Sequence, residues 1–228
     1  MVFWVFYNTF VRKLHLYLFF MATNNKERIV SVAQEMFLAR GIRSVRMDDI
    51  AHACGVSKRT LYEIFNDREE LIGESLLHHA SQIHNRSQEV TAQAENVLHA
   101  FWLEAMHRSK NLSGVSTLSE DLRRYYPKVV ENLLPQIHEA VVHHTREKLS
   151  IGMEDGLILS NLDLDFFSRA LTNYVYGLGV IEANTATTGV VITSQTVPTA
   201  ILIFLRGIST EKGRRYIDEN LLKNIIEK

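Results

Sequence analysis

Hydrophobic positions in residues 47–65 recur at the spacing of an α-helix and are interrupted once by a short polar stretch. Before the interruption, Met47, Ile50 and Ala51 lie about one helical turn apart and give a short helix one buried face. After it, hydrophobic positions return at the same spacing, at Leu61, Ile64 and Phe65. The pattern therefore predicts two short helices that pack on each other.

The residues between these helices predict a tight turn. Gly55 follows the last helical residue, where a left-handed backbone conformation costs glycine very little. Val56 is expected to fill the corner, and the hydroxyl of Ser57 is suited to cap the second helix. Ala51 is small where the second helix must pass closely. Two short helices joined in this way form a helix-turn-helix motif, which predicts binding to double-stranded DNA.

The outward side chains of the second helix have the chemistry that DNA recognition needs. In this motif the N-terminal end of the second helix enters the major groove, and Lys58, Arg59 and Thr60 lie there. Arg59 can bind a guanine edge through two hydrogen bonds, whereas Lys58, Thr60 and Tyr62 suit phosphates or a thymine methyl group. Glu63 also faces outward. The alternative is that these are solvated residues of an ordinary helical hairpin.

The N-terminal region resembles the signature of the tetracycline-repressor (TetR) family of bacterial transcription regulators. That signature is a first helix ending in glycine, a Val/Met-x-x-Ile-Ala helix, Gly-Val-Ser-Lys-x-Thr-Leu-Tyr, and Phe-x-x-Lys-Glu-x-Leu. The matching segments here are 29–41, 47–51, 55–62 and 65–71.

The resemblance implies roles for individual residues. Lys58, Thr60 and Tyr62 match positions that contact DNA in the family. Arg68 stands where a lysine usually reaches a phosphate, and Arg59 occupies a variable position. The predicted DNA contacts are Arg46, Ser57, Lys58, Arg59, Thr60, Tyr62 and Arg68. The residues predicted to hold the motif together are Met47, Ile50, Ala51, Gly55, Val56, Leu61 and Phe65.

The sequence departs from the family pattern just before the second helix. The family commonly has threonine or serine there, which caps the helix and touches a phosphate, whereas this chain has Val45 and Arg46. Arg46 can make the phosphate contact instead, and Ser44 is the nearby hydroxyl.

The overall charge bears on the mode of DNA binding. The net charge of the chain is −1 and the pI is near 6.8. Within the motif region, the basic residues are nearly balanced by acidic ones. This balance predicts site-specific binding by a positioned face, with moderate salt dependence.

Residues 72–228 are numerous enough to bury a second core and contain no convincing run of alternating strand positions. Helices are predicted at 68–90, 92–109, 116–125, 127–149, 163–182, 197–209 and 212–228, with a loop at 151–162. Pro135 is expected to kink or restart the helix that contains it. The chain is therefore predicted to be all-α, with a three-helix DNA-binding domain at 21–71 and a helical effector-binding and dimerisation domain at 72–228.

Two of the predicted C-terminal helices, 163–182 and 197–209, have more apolar residues than a soluble monomer needs for one buried face. The resemblance implies that this pair forms a four-helix homodimer interface, and a two-fold dimer would double the DNA site across one turn of DNA. The alternative is that both helices are simply core. The predicted interface residues are Phe166, Phe167, Leu171, Val175, Leu178, Ile201, Leu202 and Leu205.

The resemblance also implies that the C-terminal domain binds a small-molecule effector. A set of mainly aromatic residues is suited to line an apolar cavity, although such residues at helical spacing also serve as plain core. The set comprises Phe101, Trp102, Met106, Tyr125, Tyr126, Tyr174 and Tyr176.

Residues 1–20 are aromatic and β-branched, unlike the rest of the chain. Arg12, Lys13 and His15 interrupt the apolar run, so neither half approaches the roughly 18 to 20 residues of a membrane-spanning helix. The features of a secretory signal are also missing. We expect translation to start at Met21 and the upstream segment to be a non-native or disordered extension; an ordered N-terminal arm is the alternative. The single cysteine, Cys54, fits a reducing cytoplasm.

Motifs of an enzyme or a metal site are missing from the sequence. There is no Gly-x-Ser-x-Gly elbow, no phosphate-binding glycine loop and no His-Glu-x-x-His pair. Ten histidines are present, but spacings of five or six residues along a helix place metal ligands poorly. We therefore predict no enzymatic activity, no metal and no cofactor.

The sequence as a whole predicts a homodimeric regulator that binds a pseudo-palindromic operator and is released by a small-molecule effector. Repression is the commoner sign in the family the chain resembles. An activator of the same fold is one alternative. A helical ligand-binding or enzymatic protein without DNA binding is another. A helical adaptor that had lost DNA binding would predict damage to the outward side chains of the second helix, and those side chains are intact.

Overall fold

A computed structural model of the chain describes residues 25–109, 121–183 and 195–223. These residues are mostly helical, and within these ranges there is no strand, only a bridge between Ile158 and Ser209. The all-α prediction is confirmed. The helices are α1 (Asn25–Arg40), α2 (Met47–Ala53), α3 (Lys58–Ile64), α4 (Arg68–Thr91), α5 (Val97–Ser109), α6 (Pro127–Glu154), α7 (Leu164–Ala183), α8 (Thr196–Gly207) and α9 (Glu211–Tyr216). A π-helix, Ile217–Leu222, continues α9.

The chain divides into two compact units. The described residues of the N-terminal unit are 25–85 and 121–140, and those of the C-terminal unit are 86–109, 141–183 and 195–223. This grouping differs from a division at residue 71, because the side chains of Leu122 and Val129 pack into the core of the N-terminal unit.

The core of the N-terminal unit is built from one apolar face of each of its first helices. α1 contributes residues at helical spacing, and the motif residues predicted to hold the helix-turn-helix together are buried with it, except Gly55, which is exposed, and Val56, which is half-buried. The largest completely or almost completely buried side chains are Ile29, Ile42, Ile50, Leu61, Phe65, Leu71 and Ile72.

The C-terminal unit has a separate core, formed by side chains of α5, the later part of α6, α7, α8 and the π-helix. Two backbone hydrogen bonds join the segment after α6 to the segment after α8: Leu159 N–H donates to Ile208 at 3.0 Å, and Thr210 N–H donates to Leu157 at 3.0 Å. α9 packs tightly there, because a Cβ placed on Gly213 would lie 2.1 Å from the carbonyl oxygen of Leu157.

Several predicted helix boundaries need correction. α5 begins at Val97 and not at residue 92, because the Asn96 side chain accepts hydrogen bonds from the N–H groups of Leu98 and His99 and so caps the helix. α6 continues through Pro135 to Glu154, so the helix does not restart at this proline, and residues 151–154 of the predicted loop at 151–162 are helical. Gly156, with φ of 67°, ends α6 in a left-handed turn.

Other predictions fall partly or wholly outside the described residues. The N-terminal extension, residues 1–20, lies outside them, as do 116–120, 184–194 and 224–228. The helix predicted at 116–125 is observed over 121–125.

Candidate nucleic-acid interface

The turn between α2 and α3 is fixed by two backbone hydrogen bonds. Val56 N–H donates to the carbonyl of Ala51 at 3.0 Å, and Gly55 N–H donates to that of His52 at 3.1 Å. This is the Schellman arrangement, which requires a left-handed residue, and Gly55 has φ of 62°. The turn therefore depends on the glycine that the sequence places there.

The start of α3 is capped by Ser57. Its Oγ accepts a hydrogen bond from Thr60 N–H at 3.0 Å and lies 2.8 Å from the Thr60 hydroxyl. Leu61 and Phe65 are fully buried on the opposite side. The cap and the buried face together fix the direction in which the first turn of α3 points.

The start of α2 is capped by an acidic side chain and not by a hydroxyl. Asp49 Oδ2 accepts a hydrogen bond from Arg46 N–H at 2.8 Å, so the Arg46 side chain has no capping task and is exposed. Ser44 Oγ instead donates to the carbonyls of Arg40 and Gly41 at the end of α1. The departure from the family pattern therefore leaves α2 capped and Arg46 facing solvent.

We call Lys58, Arg59, Thr60, Tyr62 and Glu63 the recognition face. Four of these residues are exposed and Thr60 is half-buried. Arg59 Nε donates to Glu63 at 2.8 Å, and Lys58 Nζ donates to Asp48, a residue of α2, at 3.0 Å. The hydrogen bond to Asp48 raises the pKa of Lys58, so this residue remains charged at neutral pH.

Arg68, a predicted phosphate contact, is half-buried within the N-terminal unit. Its Nη2 donates to the carbonyl of Ile42 at 2.5 Å, and its guanidinium lies 5.7 Å from the ring centroid of Tyr126. The arginine therefore ties the start of α4 to the turn after α1, and a DNA contact by Arg68 remains a prediction.

Arg28 of α1 contacts the end of α2, and the sequence did not mark it as part of the motif. Its Nη2 donates to the carbonyl of Cys54 at 2.9 Å, at the end of α2. Burial raises the pKa of the Cys54 thiol, although the charge of Arg28 opposes this shift. No periodicity or motif marks Arg28, because the contact joins residues far apart in the sequence.

The predicted interface residues lie on α7 and α8 of the C-terminal unit and differ in exposure. Leu171, Ile201, Leu202 and Leu205 are buried in the unit's own core, whereas Phe167, Val175 and Leu178 are half-buried. Phe166 is 61% exposed, and two further residues of these helices, Ile203 and Tyr174, are 62% and 40% exposed. We call Phe166, Tyr174 and Ile203, with the half-buried Phe167 and Phe204, the apolar patch.

The predicted effector-contact residues do not all belong to one unit. Tyr125 and Tyr126 belong to the N-terminal unit, whereas the other five belong to the C-terminal unit. Of those five, Phe101 is buried, Trp102 and Met106 are half-buried, and Tyr174 and Tyr176 are exposed. The indole Nε1 of Trp102 is buried and has no hydrogen-bond partner among the described residues.

Near Phe101 the C-terminal unit contains a group of polar side chains, the buried Lys148 and the half-buried Ser87, Glu104 and His144, which we call the polar cluster. Glu104 pairs with Lys148, lies 3.5 Å from His144 Nε2 and accepts a hydrogen bond from the Ser87 hydroxyl. Lys148 Nζ is also 4.9 Å from the centroid of the Phe101 ring.

A cavity of about 620 Å³ opens elsewhere on the C-terminal unit. Most of the residues that line it are polar or charged, and none of the predicted effector contacts is among them. Its lining residues are Glu95, Asn96, Asp155, Leu157, Lys212, Arg215, Tyr216, Glu219 and Asn220.

No three His, Cys, Asp or Glu side chains among the described residues are grouped so that they could hold a metal ion. None of the described helices is both long and apolar enough to cross a membrane.

Residues 29–74 match the family model described as bacterial regulatory proteins, tetR family. The chain is 21% identical over 155 residues to the HTH-type transcriptional repressor KstR2 of Rhodococcus jostii (strain RHA1), which covers 65% of this chain and 75% of that protein. It is also 21% identical over 142 residues to the HTH-type transcriptional regulator YhgD of Bacillus subtilis (strain 168), covering 60% and 74%. Its fold is similar to the crystal structure of a TetR-family regulator from Rhodococcus sp., with 18% identity, a TM-score of 0.64 and coverage of 82% and 99%.

Proposed function

Since the chain is a transcriptional regulator of the TetR family, we propose that it acts as a homodimeric repressor. In this proposal two copies of the recognition face bind a pseudo-palindromic operator, and a small molecule bound by the C-terminal unit releases them. The observation that carries the proposal is the exposed recognition face on a short helix whose cap, turn and buried side are all fixed.

The recognition face supports DNA binding because its side chains differ in chemistry while their backbone is held rigidly. Arg59 and Tyr62 extend from a helix anchored by the fully buried Leu61. An arginine in this position suits a guanine edge, whereas Lys58, Thr60 and Tyr62 suit phosphates or a thymine methyl group. The exposed Arg46 at the start of α2 would add a further phosphate contact.

The ion pairs on this surface fit a binding site for a defined sequence. Asp48 and Glu63 hold Lys58 and Arg59 in the free protein, and both pairs are exposed. Exposed pairs stabilise a fold little, so Lys58 can exchange Asp48 for a phosphate at small cost. The two carboxylates would repel DNA that does not offer compensating contacts.

The apolar patch supports a homodimer. Phe166 and Ile203 are more than half exposed, and exposed apolar side chains grouped with further aromatics mark interaction sites. Phe167 and Phe204 lie with ring centroids 6.5 Å apart, and Tyr174 stacks on Phe204 at 6.0 Å. In the proposed dimer these aromatics meet their two-fold copies, while Leu171, Ile201, Leu202 and Leu205 hold α7 and α8 in place from the inside.

Effector binding is proposed for the C-terminal unit on the basis of its polar interior. The unpartnered indole N–H of Trp102 and the polar cluster put hydrogen-bonding groups within an otherwise apolar core. A small molecule bound there would change operator affinity only by its differential affinity for the two states of the protein. The name of the relative from Rhodococcus jostii supports repression as the sign of regulation.

The proposed function is tested by selecting random duplex DNA with the purified full-length chain. We expect enrichment of a two-fold symmetric motif, and its loss with an Arg59→Ala, Tyr62→Ala double variant. A variant with the exposed Ile83→Ser change on α4 serves as a control and should select the same motif. Failure of the unchanged chain to enrich any motif, with cell extract as a source of effectors present or absent, would sink the DNA-binding proposal. Transcription from a promoter that carries the motif then separates a repressor from an activator.

A further inference from the structure

Arg59 and Glu63 lie one turn apart on the outer side of α3 and are joined through one particular nitrogen. Arg59 Nε donates to Glu63 Oε1 at 2.8 Å, and the Arg59 side chain remains 88% exposed. Among the described residues, the Arg59 side chain has no other hydrogen bond or ion pair. The carboxylate therefore occupies one edge of the guanidinium and leaves its two terminal Nη groups free.

The free end of the guanidinium has the geometry that guanine requires. Guanine presents two acceptors, O6 and N7, in the major groove, and an arginine can donate one hydrogen bond to each. The terminal Nη1 and Nη2 groups form such a pair of donors. Because Glu63 accepts from the Nε, the end of the guanidinium that carries both Nη groups remains available to a base.

Restricting the arginine matters because its long side chain otherwise has many rotamers to lose on binding. Ordering a side chain of this kind costs conformational entropy. A guanidinium already held on one edge loses less freedom when it meets the base, and it reaches fewer alternative acceptors. Restriction therefore favours the one base that matches the remaining donors.

We propose that Glu63 is a positioning residue that orients Arg59 to read a guanine in each half of the DNA site. This role rests on the proposed function, because it requires that the recognition face enter the major groove. The role adds two points to the proposed function: Arg59 contacts a guanine, and Glu63 makes that contact selective.

The carboxylate of Glu63 also weakens binding to DNA that lacks the matching guanine. It brings negative charge close to phosphates, which weakens binding to any sequence, and only the contact between Arg59 and guanine compensates for this. Removing the charge should therefore have two opposite effects: stronger binding to unrelated DNA and weaker discrimination at one base pair. A residue that only stabilised the helix would produce neither effect.

Asp48 provides the matched comparison on the same surface. It pairs with Lys58 at 3.0 Å, also in an exposed position, but an ammonium group is a point charge without a two-donor edge. Neutralising Asp48 should strengthen binding to all DNA and leave base preference unchanged.

The test compares the full-length chain with the Glu63→Gln, Arg59→Ala and Asp48→Asn variants by selection from random duplex DNA, followed by competition binding. We expect a guanine at one fixed position of each half-site, preferred about tenfold or more over other bases by the unchanged chain. This preference should disappear in Arg59→Ala, fall severalfold in Glu63→Gln and persist in Asp48→Asn. Binding of Glu63→Gln to unrelated DNA should increase.

Other outcomes overturn the role of Glu63. One is a Glu63→Gln variant that keeps the full guanine preference. Another is a Glu63→Gln variant that loses preference at a base pair that Arg59→Ala does not affect, because Glu63 would then contact a cytosine itself. A selected motif that contains no guanine, but whose binding still depends on Arg59, would also overturn this role. If the unchanged chain selects no motif, the proposed function fails and this role fails with it.

Discussion

The ammonium group of Lys148 forms an ion pair with the carboxylate of Glu104 in the C-terminal unit, where only 10% and 14% of these side chains are exposed. The two residues belong to α6 and α5 and are far apart in sequence. His144 and Ser87 complete the set of groups around the carboxylate. Since a buried charge is tolerated only when it is paired and hydrogen-bonded, the two residues should depend strongly on each other.

Removing either member of this pair should destabilise the protein more than replacing both. The single variants Glu104→Gln and Lys148→Met each leave one buried group without its partner, which costs about 3–5 kcal/mol. The double variant leaves no uncompensated charge and should recover much of that loss. Denaturant unfolding followed by far-UV circular dichroism measures this, because the described residues are mostly helical. Additive effects of the two single changes would show that the pair is not coupled.

The polar cluster should also make stability depend on acid pH. Burial tends to raise the pKa of Glu104, but the hydrogen bond from His144 and the charge of Lys148 outweigh burial and lower it to about 2. A carboxyl group with a lowered pKa contributes stability above its unfolded pKa, and that contribution is lost as pH falls through the folded value. The free energy of unfolding should therefore fall between about pH 4.5 and pH 2, and less so in Glu104→Gln. Equal slopes for the two proteins over this range would contradict the prediction.

The turn of the helix-turn-helix should not tolerate a side chain at Gly55. Its φ of 62° is a left-handed conformation, which costs a residue with a Cβ about 1–2 kcal/mol. Gly55→Ala should lower stability by that amount and weaken operator binding as α3 shifts. Gly73→Ala on α4 is the control, since a Cβ there meets nothing within 4 Å and alanine favours a helix by about 0.5–1 kcal/mol. Thermal unfolding of both variants should show opposite signs.

Gly213 should be equally restricted, but for a different reason. A Cβ at this position would lie 2.1 Å from the carbonyl oxygen of Leu157, which is backbone and cannot rotate away. Gly213→Ala should therefore destabilise the C-terminal unit by about 1–3 kcal/mol. Gly207→Ala, at the end of α8, has open space around the new methyl group and should change stability by less than about 0.5 kcal/mol. Comparable losses in the two variants would exclude a steric cause.

A charge in the apolar patch should separate the proposed dimer. Ile203 is 62% exposed, so Ile203→Glu costs the isolated chain little but would bury an unpaired charge in an interface. We expect a shift from dimer to monomer in sedimentation velocity and at least a tenfold loss in operator affinity. Ile151→Glu on α6, where the side chain is 50% exposed, is the matched control. A dimer that survives Ile203→Glu would place the interface elsewhere.

Local signals accounted for much of the N-terminal unit. Gly55 and Ser57 marked the turn and the cap, and the period of the apolar residues identified the buried faces of α2 and α3. The cap of α2 could have been found as well, because Asp49 stands three residues after Arg46, where an acidic side chain reaches back to the cap residue. Asn96 is a similar signal that would have given the true start of α5.

Longer contacts were not predictable in this way. The phosphate contact of Arg68 stays a prediction, but its hydrogen bond to the carbonyl of Ile42, 26 residues earlier, had no signal in the sequence. Phe166 and Leu171 both belong to an apolar helix, and only their packing separates an exposed residue from a core residue. Periodicity identifies one face of a helix, but it does not identify what covers that face.

The sequence by itself determined the helix-turn-helix, the residues of its recognition face and the all-α class, because caps, turns and helical periods arise from residues within about four positions of one another. Tertiary structure decided which apolar residues remain exposed, that residues 121–140 join the N-terminal unit, and that Glu104 and Lys148 meet in the C-terminal unit. These outcomes depend on how separate helices fill a shared volume. The free energy of that packing belongs to contacts between distant residues, which no local stretch of sequence encodes.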